Sequence, residues 1–109
     1  MNEMPNSEIV VLDVAGARAI VKVDGSVDVS ELTALGFIFT DHIGERKISD
    51  MDDRARVVKE LIALSAVFSG GRDWSPAEVV EFLRDQGRVN TKFRRIEWVG
   101  SDKYIISEI

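Results

Sequence analysis

One histidine, His42, and nineteen acidic side chains are the main raw material for chemistry in this 109-residue chain, which contains no cysteine. Without thiolates there are no disulfides, thiolate metal sites, iron–sulfur clusters or cysteine nucleophiles. A serine triad would have to recruit His42, and no strained Gly-x-Ser-x-Gly turn presents a nucleophile to it. Asp41, His42 and Glu45 are competent metal ligands by type. A catalytic zinc, however, needs three well-placed ligands held by supporting hydrogen bonds, and a polar loop accounts for these residues more simply.

Asp50, Asp52 and Asp53 superficially suggest calcium. The glycine expected five residues after the first ligand is Ala55 and the closing glutamate position is Leu61, so helix capping explains the acids better. Ser69-Gly70-Gly71-Arg72 shares only glycines with a phosphate-binding loop, and there is no Gly-x-Gly-x-x-Gly run for a dinucleotide. Paired carboxylates for sugar hydrolysis would need a deep cleft, for which a domain of this size leaves little room. The reading is of a non-enzymatic protein with no catalytic residue, metal or cofactor.

Charge gives a second kind of candidate. The net charge is −5, yet residues 1–45 hold two bases and eight acids, while residues 84–95 hold Arg84, Arg88, Lys92, Arg94 and Arg95 against Asp85 alone. The chain is electrically polarised along its length. Two binding hypotheses follow. In the favoured one a protein partner docks on the acidic front, through Asp24, Asp28 and Glu31, with Trp74 and Trp98 as anchors, because tryptophan is enriched at binding hot spots. Small acidic inhibitors, immunity-type proteins, adaptors and phage or mobile-element accessory proteins belong to this class. An acidic surface of this kind could also imitate a nucleic-acid backbone.

In the alternative, Arg84, Arg88, Lys92, Arg94, Arg95 and Lys103 contact phosphates. A helix of about 18 residues, a capped helix of about eleven and a basic segment leading into a hairpin is compatible with the order of parts in winged-helix proteins. In that outline the hairpin around Ser101 and Lys103 is the wing.

These residues must be positioned by a small set of elements. Ile9–Val14 and Ala17–Val23, separated by Ala15-Gly16, predict an antiparallel hairpin, closed by the turn dipeptide Asp24-Gly25. Asp28, three residues before Glu31, and Gly36 bracket a short helix near 29–35. Phe37–Thr40 predicts a short buried strand, and 45–48 a return strand after a loop. Val57, Leu61, Leu64 and Phe68 repeat at three and four residues and predict a helix over 51–68, capped by Ser49 or Asp50 and ended by Gly70-Gly71.

Ser75-Pro76-Ala77-Glu78 carries a full capping box with proline at the first helical position, and Trp74 before it is placed to staple onto Val79. That helix is predicted to run to about Gln86 and stop at Gly87. Aromatic and β-branched residues favour a C-terminal hairpin of 93–99 with 103–109 over a third helix at 91–98.

The sequence therefore predicts a flexible segment over 1–7 and a single α+β domain over 8–109. Its expected core is Val11, Ile20, Val21, Phe37, Phe39, Val58, Leu61, Ile62, Val79, Leu83, Ile96 and Ile106. An intracellular, cytoplasmic protein without membrane contact is expected, since the N-terminus lacks the basic and apolar pattern of a secretory signal. Homodimerisation is a further expectation, on the premise that the apolar strand from Ile9 to Leu12 lies at a sheet edge.

Overall fold

Arg18–Lys22 buries every second residue, Ala19 and Val21, whereas Ile9–Leu12 runs apolar without interruption, and these two patterns fit different places in a sheet. In the computed structural model, which describes residues 8–23, 27–70, 74–100 and 103–109, they form β2 (Arg18–Lys22) and β1 (Val10–Asp13), paired antiparallel with an irregularity between Val11 and Asp13. Val10 and Val11 are both buried although adjacent strand residues point to opposite faces. A strand covered on both faces belongs inside a sheet.

The remaining elements are α1 (Ser30–Ala34), β3 (Ile38–Thr40), β4 (Ile43–Lys47), α2 (Met51–Ala63), β5 (Val67–Ser69), α3 (Pro76–Asp85), β6 (Arg94–Trp98) and β7 (Tyr104–Glu108). The strands form one seven-stranded sheet in the order β3-β4-β2-β1-β5-β6-β7. β1 is thus the central strand, which overturns its expected place at an edge and with it the premise for dimerisation there. Its pairings with β2 and β5 occupy both sides. β1, β5 and β6 run parallel, and all other pairings are antiparallel.

Buried residues of all three helices, including Leu32, Val57, Val58, Leu61, Val79, Val80 and Leu83, join Val11, Val21 and Phe68 in the main core on one face of the sheet. On the opposite face Val10, Val67 and Ile96, flanked by Tyr104 and Ile106, form a second, smaller cluster. The protein is a small single-domain α+β fold, with the β1–β2 and β6–β7 hairpins joined in the one sheet through β5.

Three sequence expectations need correction. The helix predicted over 51–68 ends at Ala63, and residues 67–69 are β5. The amide of Ala66 donates to the Leu61 carbonyl at 3.0 Å and that of Ser65 to Ile62 at 2.9 Å, with Ser65 at φ 63°. This pair of bonds is a Schellman stop. α1 and α3 end in the same way at Gly36 and Gly87, both at positive φ, where glycine announced the stop in advance. A serine in that role gives no such signal.

Second, β3 is an edge strand rather than a buried one, with Ile38 76% exposed. Burial falls instead on Phe37, just before it. Third, the twelve expected core residues include Ile20, Phe39, Ile62 and Ile106, which are only partly buried, and omit Phe68 and Phe93, which are buried and meet edge to face at 5.6 Å. The turn expected at Asp24-Gly25 and the segment 1–7 lie outside the described residues.

Candidate partner-binding surface

The α3 N-terminus is built as its sequence predicts. Ser75 Oγ accepts the Glu78 amide at 3.4 Å, Glu78 Oε1 accepts the Ser75 amide at 3.3 Å, and Pro76 opens the helix. Two free helical amides are satisfied or pre-empted in this way, and the helix start is fixed. The residue before it, Trp74, is held at φ 59°, a left-handed conformation that a side-chain-bearing residue adopts at an energetic cost. The residue is 60% exposed. It packs edge to face on Phe82, centroid to centroid at 5.7 Å, so the staple forms one turn beyond the expected Val79.

Two depressions flank this indole. One, of about 450 Å³, is bordered by Asp13, Ala15, Gly16, Met51, Val79 and Phe82, together with Arg54 and Trp74 itself. Its walls are fixed: Arg54 donates to the carbonyls of Val14 (2.6 Å) and Gly16 (2.8 Å), tying the β1–β2 turn to α2. Asp13 accepts the Ala15 amide at 2.9 Å within that turn. Met51 is 39% exposed and contributes an adaptable apolar side chain. The second depression runs along α3 between Trp74, Phe82 and the carboxylates of Glu78, Glu81 and Asp85.

These three acids recur at helical spacing on the exposed side of α3, while Val79, Val80 and Leu83 face the core. Sequence reasoning found Trp74 but missed the surface around it. The capping box accounts for Glu78, and nothing local in the sequence sets Glu81, Phe82 and Asp85 beside the indole. The 78-81-85 spacing was the signal available.

The other acidic candidates lie elsewhere. Asp28 is exposed and accepts both the amide and the hydroxyl of Ser30, and these bonds hold its carboxyl below the usual range. It thus serves the entry to α1 locally, without the expected capping box to Glu31. Glu31 is exposed and borders a depression with Glu8 and Asp28 beside the start of β1. Trp74 stands beside the turn that follows β1. Asp24 lies outside the described residues.

Trp98 is 44% exposed and packs edge to face on Tyr104 at 5.3 Å. Two residues from Ile96 along β6, it belongs to the sheet face opposite the helices. The two tryptophans therefore do not share one surface.

The basic segment is largely engaged within the molecule. Arg84 donates to the carbonyls of Thr91 and Ile109, each at 2.9 Å, and stacks over Phe93 at 5.2 Å. Arg88 pairs with Asp52, and Arg94 grips Glu8 through two nitrogens and donates to the Ser65 carbonyl. The Glu8 carboxylate raises the proton affinity of the Arg94 guanidinium. Arg95 approaches Glu97 at 3.6 Å, while its Nε is buried without a partner among the described residues. Lys92 and Lys103 are exposed.

His42 is exposed, and its carbonyl accepts the Val23 amide. Asp53 turns inward to Arg46 and Ser49, while Asp50 caps α2 through the Asp53 amide. Among the described residues no group of three or more His, Asp or Glu side chains is arranged to hold a metal ion, and no helix is long and apolar enough to cross a membrane. Comparisons with protein-family models, curated proteins and solved structures find no match to this chain.

Proposed function

We propose that this protein is a non-enzymatic protein-binding module whose contact surface is centred on Trp74. One observation carries the reading: an exposed indole, held out at positive φ, stands between a fixed apolar depression and an acidic helix face. Tryptophan supplies a large contact area at little conformational cost, and Met51 and Phe82 extend it. Glu78, Glu81 and Asp85 would steer a basic partner and fix its orientation. The partner chemistry is therefore a segment with an aliphatic or aromatic anchor flanked by lysine or arginine. An inhibitor or adaptor acting by occupancy needs nothing more.

The nucleic-acid alternative draws less support. The exposed side of α3 carries carboxylates, and Arg84, Arg88 and Arg94 are spent on internal contacts.

Selection of random peptides displayed on phage against the folded protein tests the proposal. Enriched peptides should combine an apolar anchor with flanking bases, and their binding should fall at least about tenfold in Trp74→Ala and weaken with added salt in the wild type. Peptides that bind Trp74→Ala and Glu81→Lys as tightly as the parent would place the contact elsewhere. Titration of labelled random duplex and single-stranded oligonucleotides in a salt series examines the alternative, since phosphate contacts impose a steep salt slope.

A further inference from the structure

The two edges of the sheet differ in how they are protected. β3 is three residues long, whereas β7 pairs with β6 over five consecutive residues, Arg94↔Glu108 to Trp98↔Tyr104, with no break in register. Between Tyr104 and Glu108 there is no proline or lysine. Short length, bulges, proline and lysine are the usual means of keeping an edge from pairing with another chain. β7 has none of these, and Glu108 at its last position is its one charged side chain.

The hydrogen-bond phase shows which groups are free. The Ile109 amide donates to the Phe93 carbonyl at 2.9 Å and the Val99 amide to the Lys103 carbonyl at 3.0 Å. Bonded and non-bonded pairs alternate along an antiparallel ladder, so Ile105 and Ser107 also bond inward to β6. Tyr104, Ile106 and Glu108 then turn their N–H and C=O groups outward. Among the described residues no strand lies beyond β7 and none bonds these groups.

We propose that β7 is a docking strand for a second copy of this chain, the two β7 strands pairing antiparallel about a two-fold axis at Ile106. In that register Ile106 faces Ile106 of the second copy, and Tyr104 faces Glu108 in both directions. Each facing pair exchanges two hydrogen bonds, so every outward group of the three residues is satisfied on both copies. Axes at Tyr104 or Glu108 would leave some of them unpaired.

The side chains fit the same arrangement. Glu108 meets a tyrosine rather than another carboxylate, and Ile105, 53% exposed, meets Ser107. Tyr104 and Ile106 pack on the small cluster of Val10, Val67 and Ile96, which would continue across the axis. Three of the exposed large apolar residues, Trp98, Val99 and Ile105, belong to this terminal hairpin. The dimer contact uses no residue of the Trp74 surface and stands apart from the function proposed for it.

Light scattering after size exclusion, over a concentration series of the full chain, reads the association directly. The mass should rise from 12.2 kDa toward twice that value. Tyr104→Glu sets a carboxylate against Glu108 of the second copy, while Tyr104→Lys sets an ammonium there. Both variants lose the same ring, so a gap of about tenfold in dimer affinity, lysine the tighter, would report the facing pair itself. The Ile106 amide should also exchange more slowly as concentration rises. A monomeric mass throughout, equal affinities for the two variants, or an Ile106 amide indifferent to dimerisation would overturn the proposal.

Discussion

Arg94 reaches over β5 to hold both carboxylate oxygens of Glu8, at 2.7 and 2.9 Å, joining side chains 86 residues apart in sequence. β5 lies between β1 and β6, so this two-pronged bridge fastens the strands on either side of it. The same arginine donates to Ser65, just ahead of β5.

Glu8→Gln should therefore lower stability by about 1 kcal/mol, the magnitude of a geometrically good but partly exposed ion pair. Urea unfolding would measure it, with Arg94→Gln and the double variant completing a cycle. Coupling within error of zero would mean that the bridge adds nothing to the three-strand core.

Asp53 gives the pH dependence its sign. Arg46 donates to it through two nitrogens, and the Ser49 amide adds a third bond, so its carboxyl titrates well below the ordinary value of 3.8. The folded state binds this proton less readily than the unfolded state. The resulting stability is present in full above the unfolded pKa and is lost as pH falls through and below it. Asp53→Asn should cost about 2 kcal/mol near neutral pH, and the gap to wild type should close below about pH 4. Denaturant midpoints at stepped pH provide the check, and a gap that persists at low pH would contradict this account.

Ser75→Ala removes the oxygen that accepts the Glu78 amide and should destabilise the protein by about 1 kcal/mol. Because the cap also fixes the chain just after Trp74, the variant should change the indole emission even where the protein remains folded. Unaltered emission would separate the pose of Trp74 from the cap.

Leu61 and Phe68 are both fully buried in the main core. Leu61→Ala should cost about 2 to 5 kcal/mol and Phe68→Ala about 3 to 5 kcal/mol, read from thermal or urea unfolding. The second value distinguishes a core strand from the frayed end of a helix, where the loss would be small.

Phe68 also marks the limit of what the sequence conveys. Its spacing from Leu61 and Leu64 suits a helix, and only the backbone at Ser65 ends the helix and starts β5. Where glycine or a capping box wrote the boundary, at Gly36, Ser75 and Gly87, the elements were legible to within a residue or so. The apolar run from Ile9 to Leu12 is read from the sequence as a sheet edge, and the structure makes β1 central, because its two neighbours come from distant parts of the chain that no local pattern names. For the candidate surface, Trp74 stood out by residue type. Its setting depends on how the turn after β1, Met51 and α3 meet in space, which no local pattern encodes.

The central position of β1 also has a consequence for synthesis on the ribosome. β1, β2, β3 and β4 all precede Ile48 and are joined through antiparallel pairings, β4 lying between β2 and β3, so this four-stranded part can form early. The other side of β1 must wait for residues 67–69, its parallel neighbour. Until they emerge, the apolar stretch from Val10 to Leu12 presents bare backbone groups at a temporary border. Nascent chains held at that length should be the form most prone to aggregate and most in need of a chaperone.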